Sequence, residues 1–287
     1  MLTHSPARRI TGLLAALLAL PLLAGAAAAA ESKGYSLPHF RANYGEARMP
    51  QFPPDTVLRL VADENFPPYS FKTSTGTPAG IAVELATSAC AEMGVPCQID
   101  LKPLADLLAA LRSGRADAVL AGPRIDEEAL AGATVTRPWF RSLGRFAAQS
   151  GAALLDSDSK NLAGEKIAVV HGTEHEAWLL RHYGDSRIVP FASDREAQDA
   201  LRTGSVAALF GDNLRLIYWV RGSASRGCCR LIGGAHTDFD FFSRNAVFLV
   251  RGDRPDIREG FDVALDRLQA NGTVEKVFNG YVPLSPW

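Results

Sequence analysis

The 287-residue chain has little that would commit it to a specialised class. No run after the first thirty residues is apolar and long enough to cross a bilayer, so beyond its N-terminus it does not read as a membrane protein. Basic and acidic side chains are nearly balanced, 30 Lys+Arg against 31 Asp+Glu, and no basic block stands out. A nucleic-acid partner is therefore not expected, because such a surface needs a concentrated positive footprint. Gly-x-Ser-x-Gly, the phosphate-cradling Gly-x-x-x-x-Gly-Lys-Ser/Thr and the dinucleotide-binding glycine fingerprint are all missing, which removes sequence support for nucleophile-elbow hydrolases, P-loop enzymes and Rossmann dehydrogenases. The aromatic, glycine and proline contents are ordinary, which excludes a disordered or fibrous chain, and 47% apolar residues suffice for conventional cores.

The first thirty residues have their own logic. Arg8 and Arg9 precede the apolar run Leu13 to Leu23 and an alanine tract ending at Ala30. This is the layout of a cleaved secretory signal peptide, with export to the periplasm as the expectation. Its removal takes two arginines and no acids, leaving 28 basic against 31 acidic side chains, a net charge of −3. In an oxidising compartment, Cys90 and Cys97 flank a helix end and the Gly94-Val95-Pro96 turn, and a bridge between them would staple helix to strand. For the adjacent Cys228 and Cys229, a vicinal bridge, an intermolecular link and two buried thiols are all open, buried thiols being the simplest.

Residues 31–54, rich in Pro, Gly and aromatics without a period, read as an irregular lead-in. Thereafter short apolar runs alternate with amphipathic stretches. Strands are predicted at 57–62, 97–101, 118–121, 166–170 and 246–250. Helices are predicted from Gly80 (stripe Ile81, Leu85, Ala89, Met93), after Pro103 (Leu104, Leu107, Leu108, Leu111), over Glu176 to Tyr183, from Pro255 and from Thr273. The segment LRSGRADAVLAG at 111–122 returns ninety residues later as LRTGSVAALFGD at 201–212, each reading as helix, glycine stop and buried strand. Two similar α/β lobes follow, and ligands of such sheets bind beyond the carboxyl ends of the strands. Residues near 63–66, 122–124, 171–175 and 212 are thus expected to converge in one cleft.

These residues resemble the bacterial extracellular solute-binding proteins of family 3, the periplasmic polar amino-acid-binding components of ABC transporters, over about residues 55–282. The likeness rests on LVADENFPPYSF at 60–71, the helix start at Gly80, the Cys90/Cys97 spacing, residues 111–122, TRPWF at 136–140, VHGT at 170–173, the segment from Leu201 to Asp212, and LQANGTVEK at 268–276. It implies two doubly wound α/β lobes joined by two crossovers near 143–147 and 241–246. Lobe 1 would comprise residues 55–145 plus 245–287, and lobe 2 residues 146–244. It implies no enzymatic activity, no cofactor, a monomer, a small polar solute as ligand and a membrane permease as partner. A sensor or accessory module of the same fold, or a cyclohexadienyl-type dehydratase, are the alternatives.

Residue by residue, the resemblance places the solute's side chain on Phe66 with Asp63 beside it, although Phe66 could equally pack the loop and Asp63 cap a turn. It places the solute carboxylate on the backbone N–H groups of Gly172 and Thr173 at a helix N-terminus, where Thr173 could serve simply as a cap. The solute ammonium falls to Asp212, for which a solvated strand-end acid is the alternative. Gly122 lines the first lobe's side. The family's carboxylate-clamping arginine falls on Ala129, and Arg124 either replaces it or pairs with Asp126 or Glu127. Glu174 stands where a neutral hydroxyl residue is usual, and the acidic set Asp63, Glu174 and Asp212 points to a cationic solute. His171, Glu174 and His175 have the H-x-x-E-H spacing of metal ligands, but His171 sits at a predicted strand end, outside the helix, so no metal site is expected.

Overall fold

The structure, a computed structural model, describes residues 1–2, 47–122, 131–141, 143–242 and 245–286. Arg124, Ala129 and almost all of the signal segment lie outside the described residues.

Strand β1 (Leu58–Asp63) is buried on both faces and sits inside a mixed sheet ordered β5-β1-β6-β14-β7. Its partners are β5 (Cys97–Lys102) and β6 (Ala118–Gly122), both parallel to it; β14 (Asn245–Arg251) pairs antiparallel with β6, and β7 (Ala133–Val135) and the short β8 (Phe140–Arg141) pair antiparallel with β14. Near-continuous apolar strands are what a sheet covered by helices on both faces requires. The second sheet repeats the plan in the order β11-β10-β12-β9-β13. In it β10 (Lys166–Val170) lies parallel to β11 (Arg187–Phe191) and β12 (Ala208–Asp212); β9 (Gly144–Gln149) pairs antiparallel with β12, and β13 (Cys229–His236) antiparallel with β9.

The ninety-residue echo is a structural repeat. Ala118 pairs with Leu60 of β1, and Ala208, ninety residues on, pairs with Ile167 of β10. The glycine stops match as well: Gly114 and Gly204 have φ of 69° and 76°, the left-handed region that closes a helix at little cost only for glycine. The preceding helices are α2 (Leu104–Arg112) and, in the second lobe, α4 (Asp194–Arg202).

Helix α1 (Ile81–Met93) buries the predicted stripe, and its C-terminal turn is tied to β5 by the Cys90–Cys97 disulfide across 6.1 Å between Cα atoms. In α2, Leu107 and Leu111 are buried while Leu104, at the first helical position, is half exposed. The C-terminal helices α6 (Pro255–Ala270) and α7 (Thr273–Tyr281) return to the first lobe, where Ile257, Phe261, Leu265 and Phe278 join the core around β1.

Gly144 and Arg145, within the expected crossover 143–147, pair with Asp212 and Gly211 in the second sheet. Two features depart from the sequence reading. Cys228 and Cys229 are bonded to each other rather than being buried thiols; Cys229 is buried in a core of the second lobe and the half-buried Cys228 packs against it, a turn through Arg226 and Gly227 leading into β13. The loop after β1 contains a small antiparallel sheet, β2 (Asn65–Phe66), β3 (Ser70–Lys72) and β4 (Pro78–Ala79).

Helix α3 (Glu174–His182) follows β10, and helix α5 (Asn213–Arg221) follows β12 and joins the lobes. Its Leu214 and Ile217 are buried in the core of lobe 1, while Leu216 and Trp219 are buried in a core of lobe 2. The ring of Tyr218 also meets Phe71 of β3 at 5.9 Å. Positions 214, 217 and 218 share one helical face and 216 and 219 another, so one short helix serves two cores.

Candidate functional site

The expected residues gather at the carboxyl ends of β1, β6, β10 and β12. Asp63 ends β1, is buried, and accepts the Asn65 N–H at 2.9 Å, so it caps the turn into β2. That turn carries Phe66 and Tyr69, whose rings stack with centroids 4.9 Å apart and planes 19° from parallel. Gly122 ends β6 at φ 57°; a Cβ there would stand 3.3 Å from the Tyr69 ring and 3.4 Å from the Phe66 ring. Glycine therefore lets the strand end press against the aromatic pair.

On the second lobe, Thr173 caps α3. Its hydroxyl accepts the Glu176 N–H at 3.3 Å and donates to the Val170 carbonyl at 2.7 Å. The Gly172 N–H, expected to face a solute carboxylate, donates instead to Glu176 Oε2 at 2.6 Å. That bond, foremost, holds the Glu176 carboxyl below its usual range, and His171, with Nδ1 at 3.1 Å, adds to the effect. The chain thus places its own carboxylate on the expected anion position. Sequence reasoning passed over Glu176, although Thr173-x-x-Glu176 is the spacing of a helix-capping pair.

Asp212 ends β12 and caps α5, accepting the Arg215 N–H at 3.0 Å. From the opposite lobe the Tyr69 hydroxyl donates to both its oxygens, at 3.2 and 3.3 Å. Burial pushes the Asp212 carboxyl up, against the opposing pull of the Arg215 N–H, the Arg215 charge and the Tyr69 hydroxyl. The Tyr69 hydroxyl is held well above its usual value, first by complete burial and then by Asp212, with the charge of Glu174 adding to the effect. It therefore stands as a neutral donor to Asp212.

Arg215 is another residue the sequence reading missed. Three positions past Asp212, in the first turn of α5, it carries its guanidinium 4.6 Å above the Phe66 ring centroid. Its Nε donates to the Pro67 carbonyl at 3.3 Å, and an Nη pairs with Asp194 at 2.6 Å. A helix beginning at Asp212 brings residue 215 back over the same strand end, a signal available once 213–221 is read as helix. Beside it lies a cavity of about 620 Å3, lined from both lobes by Asn65, Pro67, Val170, Asp194, Arg215 and Tyr218.

The residues of the H-x-x-E-H spacing are placed in different surroundings. His171 is exposed, whereas His175 is buried between the Phe210 and Phe242 rings. Among the described residues no group of three potential ligands comes together.

A polar cleft with an aromatic floor, built from the strand ends of two lobes that share a helix, defines a two-lobed solute-binding protein. The chain belongs to the bacterial extracellular solute-binding proteins, family 3, whose pattern matches residues 58–283. It is 27% identical over 236 residues to the L-arginine-binding protein of Pseudomonas aeruginosa, covering 81% of this chain and 90% of that protein. It is 21% identical over 226 residues to the histidine-binding periplasmic protein of Escherichia coli, covering 78% and 86%. Among solved structures, the second substrate-binding domain of Lactococcus lactis GlnP in its open conformation superposes with a TM-score of 0.71 at 22% identity, covering 83% of this chain and all of that one. An ancestral arginine-binding protein bound to arginine gives 0.59 at 24% identity, covering 78% and 97%. No helix among the described residues is long and apolar enough to cross a membrane.

Proposed function

We propose that the protein captures a small polar, ammonium-bearing solute, an amino acid or related amine, between its lobes in the periplasm and delivers it unchanged to an ABC permease. On this reading the signal segment 1–30 is cleaved and the mature chain works as a monomer. The observation that carries the reading is Asp212, a carboxylate at the carboxyl end of a second-lobe strand that is bonded across the cleft by Tyr69 of the first. A solute ammonium entering there would donate a charge-assisted bond to Asp212, and its contacts to both lobes would favour the closed state. The relatives, named for binding arginine and histidine, support an amino-acid-sized solute.

The test is thermal unfolding of the mature chain against amino acids, polyamines, quaternary amines, organic acids and prephenate. A ligand at a hundred times its Kd adds about 2.7 kcal/mol, which at about 2–4 °C per kcal/mol for a chain of this size is a rise of about 5–11 °C. Amino acids or amines are expected to produce that rise in the wild type, and Asp212→Asn to abolish it. A chain that no member of the panel shifts, or one that consumes prephenate, would overturn the proposal.

A further inference from the structure

The contacts of Arg215 are those a guanidinium ligand would seek. Its charge lies over the face of Phe66, one nitrogen donates to a backbone carbonyl, and another pairs with a carboxylate. Two of these partners, Phe66 and Pro67, belong to the first lobe, and Asp194 to the second. The guanidinium is therefore enclosed at the lobe interface rather than spread over a surface. Its stem is held in place as well, because Leu214 and Ile217 on either side of it in α5 are buried in the first lobe's core. The neighbouring cavity opens on the same Arg215 and Asp194.

We infer that Arg215 is a specificity-determining residue: it fills, from within the chain, the seat that a solute's cationic side chain would take on Phe66. A solute carrying a guanidinium or a second ammonium must compete for one aromatic face and one carboxylate while meeting a fixed positive charge. The cleft is thereby restricted to amino-acid-sized solutes with small neutral side chains, the ammonium remaining for Asp212. The acidic cast of Asp63, Glu174 and Asp212, which on sequence grounds pointed to a cationic solute, is offset by this internal cation. The inference rests on the proposed solute-binding function for its consequence, but the seat itself can be probed independently.

The experiment compares the mature wild type with Arg215→Ala and Arg215→Met, using Arg215→Lys as the variant that retains charge but loses the planar fork. Circular dichroism and thermal unfolding report folding, and the Met variant, which keeps an apolar stem, serves where Ala melts early. Methylguanidine is expected to raise the unfolding midpoint of the Ala and Met variants and not that of the wild type. L-arginine is expected to bind the Met variant at least tenfold more tightly than the wild type by calorimetry, and its affinity relative to L-alanine and L-serine to rise by a similar factor. The Lys variant should still exclude L-arginine. Methylguanidine shifting wild type and variants alike, or none of them, would remove the seat. Unchanged or weaker L-arginine binding in the Met variant would remove the specificity role. Failure of the solute-binding function is read separately, as a wild type that no amino acid stabilises.

Discussion

His175 is the buried titratable group whose behaviour is simplest to foresee. Burial between Phe210 and Phe242 lowers its pKa to about 4, against smaller raising effects from Asp194 and a backbone hydrogen bond with Leu143, and Arg215 pushes it further down. Its Nε2 has no hydrogen-bond partner among the described residues. The unfolded chain binds this proton near pH 6.5 and the folded chain only near pH 4, so stability is complete above about 6.5 and is lost as the pH falls toward 4. The full loss from this one group, reached once the pH is below both values, is about 3 kcal/mol. Urea unfolding of the wild type and His175→Phe at pH 7 and pH 4.5 should show the wild type losing more stability than the variant. Equal losses would mean that the imidazole is not the responsible group.

At the scale of elements, the two helices that follow β10 and β11 begin alike. Thr173 accepts the Glu176 N–H while Glu176 returns to the Gly172 N–H; Ser193 accepts the Glu196 N–H while Glu196 returns to the Ala192 N–H. Each pair satisfies two of the donors that a helix N-terminus leaves open. Thr173→Ala is expected to cost about 1 kcal/mol of stability in denaturant unfolding. Glu176→Gln, by contrast, keeps an acceptor but removes the charge from the Gly172 N–H. If that N–H is where a solute carboxylate docks, calorimetry should find tighter binding of carboxylate-bearing solutes in Glu176→Gln than in the wild type. Unchanged binding would place the docking elsewhere, with Arg124 the next candidate.

For the molecule as a whole, the lobes are joined by more than their crossovers. Helix α5 contributes to the cores of both lobes, and the C-terminal tail reaches the second lobe: Arg145 donates to the Ser285 carbonyl at 3.2 Å, and the Asn213 amide donates to the Pro286 carbonyl. Truncation after Pro283 would leave the buried Asn213 amide without that acceptor, at a cost of about 1–3 kcal/mol. The midpoint of unfolding should drop by a few degrees. An unchanged midpoint would show that the tail adds nothing to the joining of the lobes.

Strands β1, β5, β6, β10, β12 and β14, most of the helices, the repeat and the family were legible along the chain because each depends on local pattern; β7, β9, β11, β13 and helix α5 were not read from it. Apolar runs of five or six residues, the stripe Ile81-Leu85-Ala89-Met93, and glycines at 114 and 204 that must adopt positive φ mark their elements without reference to anything distant. The strand ends that carry Asp63, Phe66, Gly122 and Asp212 followed from the alternation of strand and helix, since an α/β sheet presents those ends together. What those side chains face was decided only by tertiary structure. Tyr69 and Asp212 are 143 residues apart, and Arg215 meets Pro67 across 148. No periodicity encodes such pairs, because they depend on how two separately folded sheets come together. The charge of the cleft likewise follows from that packing: composition counts acids, whereas burial, an aromatic face and a neighbouring guanidinium determine which of them remain to meet a solute.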